Sequence, residues 1–103
     1  MIDVSIYYDN NGRKKKFIIK GHANKDVYGK DIVCASVSAL SIATVNTLST
    51  SKIINVVSDE GFIYCEIMKP SKLSDAIVEV LKIGIEGIEK EYKDYVKLHL
   101  LKE

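Results

Sequence analysis

Asp31-Ile32-Val33-Cys34-Ala35-Ser36-Val37-Ser38-Ala39-Leu40-Ser41-Ile42-Ala43-Thr44-Val45-Asn46-Thr47-Leu48 is the stretch on which the fold turns. No charge interrupts the chain between Asp31 and Lys52. Its length without a turn residue predicts a helix from Asp31 to about Leu48 rather than a buried strand pair. Asp31 is placed to cap that helix, which puts Ile32, Val33 and Cys34 in the first turn. A helix with so little charge on any face is expected to be buried on most sides. Its β-branched residues lower intrinsic propensity, so tertiary packing must supply its stability.

Outward from this helix the pattern changes to strands. Val4-Ser5-Ile6-Tyr7-Tyr8 is rich in β-formers, Asp9-Asn10-Asn11-Gly12 is a strong turn signal, and Lys16-Phe17-Ile18-Ile19-Lys20 returns as a second strand. Gly21 ends that strand, and His22 to Lys30 reads as a polar loop with Gly29 near its end. Beyond the helix, Ile53 to Val57 and Phe62 to Met68 look like two strands joined by a tight turn at Ser58-Asp59-Glu60-Gly61. Pro70-Ser71 stops the second of these and caps another helix. In that helix Leu73, Ala76, Ile77, Val80, Leu81, Gly84, Gly87 and Ile88 recur at helical spacing up to about Glu91. Ile83 and Ile85 fall partly off the stripe, which predicts a second apolar edge. Gly84 and Gly87 would each weaken an isolated helix by roughly 1 kcal/mol, so a close backbone approach is expected there. Tyr95 to Leu100 alternates as a final strand. The order ββ-α-ββ-α-β implies an α+β domain over residues 1–103, an antiparallel or mixed sheet of about five strands carrying two helices.

The 103 residues are 47% hydrophobic, enough to bury a core without staples. A formal net charge of +1 argues against a nucleic-acid binder that relies on a global positive field. The basic run Arg13-Lys14-Lys15-Lys16 reads as a solvated hairpin tip and strand start rather than a phosphate patch. Met1-Ile2-Asp3-Val4 has neither a basic leader nor a long apolar run, and no stretch spans a membrane without a polar residue. Cys34 and Cys65 have the composition of one possible disulfide, but these features favour a reduced, cytoplasmic protein with free thiols.

Gly21-His22-Ala23 and Cys34 carry the chemistry. A helix N-terminus and a neighbouring imidazolium both favour thiolate over thiol, so Cys34 is a candidate nucleophile and His22 its candidate base. First-turn amides are available to hold an oxyanion formed on attack at a carbonyl. Each residue also has a plainer reading. Cys34 can be packing, since free cysteine is among the most buried residue types. His22 can be an exposed loop histidine. Asp31 reads first as an N-cap and second as an orienter of the imidazole. Ser38, one turn beyond Cys34, either hydrogen-bonds near the thiol or back-bonds to a carbonyl. Gly29 gives the loop freedom to open and close over a substrate. Cys65 and His99 read as structural. His22, Cys34, Cys65 and His99 are zinc-ligand types but lack the close-pair spacing of zinc modules, so no metal or cofactor is expected.

Gly21-His22-Ala23, then Gly29 and the run from Asp31 to Leu40, resemble the signature of the ribosomal-processing cysteine proteases called Prp, and size and element order agree over essentially the whole chain. Ser36 stands where that signature has Gly or Ala, and the loop Asn24 to Tyr28 follows no fixed composition. The resemblance implies a bacterial cytosolic endopeptidase and homodimer. Its substrate would be a large-subunit ribosomal protein made with a short N-terminal extension ending in paired phenylalanines, cut after them. It also implies Cys34 as nucleophile and His22 as base, with Asp31 and Ser38 in support. A non-catalytic ribosome-associated binding or assembly factor, with Cys34 structural, is the alternative.

Overall fold

The computed structural model describes residues 1–23, 31–51 and 54–103. Five strands and two helices follow in the expected order: β1 (Ile2–Tyr8), β2 (Lys14–Gly21), α1 (Ile32–Ser49), β3 (Ile54–Asp59), β4 (Phe62–Ile67), α2 (Lys72–Glu91) and β5 (Val96–Lys102). They form one mixed sheet in the order β3-β4-β2-β1-β5, antiparallel throughout except where β5 runs parallel to β1. Gly29 and the rest of 24–30 lie outside the described residues, as does Ile53.

Period-two alternation makes the sheet one-sided. Ile2, Val4, Ile6, Phe17, Ile19, Cys65, Ile67 and Val96 turn inward and meet Val33, Val37 and Leu48 of α1 and Val78, Leu81 and Ile85 of α2 in one apolar core. The helices pack side by side, α1 towards β3 and α2 towards β5. At Gly84 a Cβ would stand 2.6 Å from Leu40 Cδ1, so the missing side chain is what lets α2 approach α1. Gly87, by contrast, has nothing within 4 Å, and the close approach expected there does not occur.

Three expectations are corrected. α1 is not buried on most sides: Ile32 and Ile42 are each 55% exposed. This helix flanks the sheet edge with α2 on one side only, and its outer face is mostly small residues, which cost little in water. Several of its hydroxyls satisfy themselves locally: Ser36, Ser41, Thr44, Thr47 and Ser49 each donate to a carbonyl four residues back. By length and composition alone α1 would be apolar enough to cross a membrane; here it packs on the sheet. In α2 the core stripe is Ser74, Val78, Leu81 and Ile85, while Leu73, Val80 and Ile83 are exposed. Finally, β3 continues through Ser58 and Asp59, leaving Glu60 and Gly61 as the turn.

The basic run is paired off by acids rather than gathered into a patch. Arg13 bridges to Asp75 at 2.7 Å, Lys14 to Glu79 at 3.6 Å, and Lys15 and Lys16 both to Glu103, at 3.0 and 2.7 Å. His99 has a partner the sequence reading did not name: its Nε2 lies 2.9 Å from Asp3 Oδ1, on the neighbouring parallel strand.

Candidate active site

The end of β2 delivers the imidazole. Gly21 has φ +104°, and a Cβ there would run into the Met1 carbonyl, so only glycine turns the chain at this point. The Gly21 N–H donates to the Gly61 carbonyl at 2.9 Å, and the Met1 amino group donates to the His22 carbonyl at 2.5 Å. His22 is exposed and directs its ring at the β3–β4 turn, beside Gly61. Ala23 turns back into the core.

The start of α1 delivers the thiol. Asp31, only 6% exposed, is the N-cap: its Oδ1 accepts the Val33 N–H at 3.0 Å and the Cys34 N–H at 3.1 Å. That corrects the expectation that these first-turn amides stand ready for an oxyanion, because the cap carboxylate already occupies two of them. Cys34 is half-buried, and its Sγ accepts the Ala23 N–H at 3.4 Å. The donor beside the sulfur therefore comes from the segment that carries the histidine, not from the helix.

Both groups open on one groove of about 700 Å³ between α1 and the β3–β4 hairpin. Gly21, His22, Asp31, Cys34 and Ser38 line its one end; Ile42, Val45, Val56 and Ile63 give it apolar walls. No hydrogen bond joins the His22 ring to Cys34 among the described residues, so the two face the same space without being bonded to each other. Ser38 is exposed along this groove and is not among the hydroxyls that back-bond within α1. Chemically, the arrangement offers a thiol with one backbone donor, an accessible base, and room for an extended apolar segment.

Cys65 is fully buried, and desolvation pushes its thiol up to about 11. With Cys65 in the core and His99 paired to Asp3, the four zinc-type residues do not converge; among the described residues no three His, Cys, Asp or Glu side chains gather. Sequence reasoning missed Gly61 and the apolar walls. Gly61 reads locally as a turn glycine, and nothing in its neighbourhood signals a contact with a residue so far back in the chain.

Comparison with known proteins gives the chain's family. The model of the family described as cysteine protease Prp matches residues 1–97. A ribosomal processing cysteine protease Prp from Staphylococcus aureus (strain Mu50) is 30% identical over 96% of this chain and 98% of its own length. One from Bacillus subtilis (strain 168) is 28% identical over 95% and 96%. A crystal structure of the S. aureus protease with a covalently linked product peptide superposes with a TM-score of 0.85 at 26% identity, over 97% of this chain and 99% of that one. The same protease with a substrate peptide gives 0.80 at 25% identity, with the same coverage. A family match across nearly the whole chain, with full-length relatives at this identity, shows that the chain belongs to the Prp family and is a cysteine protease.

Proposed function

We propose that this protease removes the short N-terminal extension of a large-subunit ribosomal protein, cutting after an aromatic residue, with Cys34 as nucleophile and His22 as base. The carrying observation is that the Cys34 sulfur, at the start of α1, opens on the same apolar groove as the His22 ring. A ring nitrogen of His22 takes the proton from Sγ, and the thiolate attacks the scissile carbonyl carbon. Collapse of the tetrahedral adduct expels the amine, which takes the proton back from the imidazolium. Water, deprotonated by His22, then hydrolyses the thioester and restores the thiol. Since Asp31 holds the Val33 and Cys34 amides, the Ala23 N–H, 3.4 Å from the sulfur, is the donor assigned to charge developing on the oxyanion. Asp31 supports by capping and Ser38 by lining the groove. Apolar walls at Ile42, Val45, Val56 and Ile63 suit an aromatic side chain before the cut.

The peptide-bound S. aureus structures support a peptide substrate for this chain too. Free Cys34 and Cys65 support a reducing, cytoplasmic setting. Homodimerisation, which the resemblance implies, fits the exposed stripe on α2. The test is incubation with the extended ribosomal protein and mass measurement of the products. Loss of the extension after its aromatic pair, absent with Cys34→Ala, is expected; an extended protein left with its mass unchanged would overturn this choice of substrate.

A further inference from the structure

We infer that Gly61 is a positioning residue for the histidine: by carrying no side chain, the β3–β4 turn makes the seat in which the His22 ring rests. The inference builds on the reading of His22 as base. Gly61 has φ +69°, and a Cβ built on it would lie 2.6 Å from Nε2, 3.1 Å from Cε1 and 3.3 Å from Cδ2 of His22. The whole outer edge of the imidazole thus abuts the space that any other residue would fill. The two segments are also fixed to each other. The Gly21 N–H donates to the Gly61 carbonyl at 2.9 Å, β2 and β4 pair through Lys20 and Phe62 just inside, and the Met1 amino group holds the His22 carbonyl. With both backbones tied, a methyl at position 61 displaces the ring rather than the turn. Gly61 lines the same groove as Cys34, so the displaced ring moves relative to the sulfur.

The fold contains its own control. Gly12, in the β1–β2 turn, has φ +79°, but a Cβ there meets nothing within 4 Å. Gly12→Ala and Gly61→Ala therefore impose the same kind of backbone strain, and only the second touches the imidazole. In the full chain, Gly61→Ala is expected to lower kcat on the extended ribosomal protein by about tenfold to a hundredfold, with KM unchanged. The His22 ring resonances in NMR spectra should shift in Gly61→Ala and stay in place in Gly12→Ala. Equal kcat for the two variants, a rise in KM with kcat unchanged, or unmoved His22 resonances would overturn the inference. If the wild-type chain leaves the extension in place, the proposed substrate fails, and the ring resonances alone decide the seat. Should Gly61→Ala fail to fold, Gly61→Asn, whose side chain tolerates a positive φ, is read by the same kcat and His22 ring resonances, with the same outcomes for and against the seat.

Discussion

Cys34 and Cys65 are both free, and burial alone separates their chemistry. A thiol reacts as thiolate, and Cys65 sits at 0% exposure with its proton held until about pH 11. Native protein treated with iodoacetamide at mildly alkaline pH should gain one adduct, on Cys34, and a second only after unfolding; intact-mass measurement reads both. The same burial fixes a sign in the pH dependence of stability. Below the ordinary value of 9.0 both states keep the Cys65 proton and its contribution is complete. Above it the unfolded chain loses the proton while the folded chain keeps it, so stability falls as pH rises from 9.0 towards about 11. Urea unfolding of wild type against Cys65→Ala should show their difference narrowing by about 1 kcal/mol per pH unit across that window. Asp31 gives the other prediction at this scale: Asp31→Ala strips the cap from two amides and should cost about 0.5–2 kcal/mol in the same assay. His22 and Cys34 stood out because an imidazole and a thiol flank a capping acid within a short span. The groove around them did not, since its walls come from β3, β4 and the far half of α1.

At the scale of elements, α2 shows both what a pattern reveals and what it hides. Its start was readable in Pro70-Ser71, and Ser71 does cap, with its hydroxyl accepting the Ser74 N–H at 3.1 Å and the reciprocal Ser74 bond present. Its inward face was not readable, because two apolar rows run along the helix. Ser74, Val78, Leu81 and Ile85 are buried, whereas Leu73, Ala76, Val80 and Ile83 are exposed. The buried row begins with a polar serine, so periodicity favours the wrong one. What orients the helix includes a long-range clamp: Asp75 accepts from the Arg13 guanidinium at 2.7 Å and from the Lys14 N–H at 3.0 Å, tying the β1–β2 hairpin to its first turns. Asp75→Ala should cost about 1–2 kcal/mol in urea unfolding, since it leaves a partly buried amide without its acceptor. Gly87→Ala should act the other way. Open space around Gly87 admits the methyl, and replacing glycine inside a helix should add about 1 kcal/mol, seen as a higher thermal midpoint at fixed protein concentration.

Across the whole molecule, the groove and the exposed row on α2 lie apart. The parallel pairing of β5 with β1, which sets the first and last strands side by side and brings His99 to Asp3, could not be foreseen from local pattern because it is set only when the sheet assembles. It places α2 over the β5 side, away from the groove, and no α2 residue lines that groove among the described residues. The exposed row on α2 continues as Leu73, Ala76, Val80, Ile83 and Gly87, alternating steps of three and four residues as a helix–helix seam does. Leu73, Val80 and Ile83 are 69%, 63% and 61% exposed, a continuous apolar strip that a second copy would cover in the proposed homodimer. A charge on the strip should therefore separate the copies without disturbing either site. Val80→Glu combined with Ile83→Glu should sediment as a folded monomer and cleave the extended ribosomal protein with unchanged kcat. A folded monomer that has lost cleavage would mean that each groove depends on the other copy, and a wild-type chain that sediments as a monomer would leave the strip to some other partner.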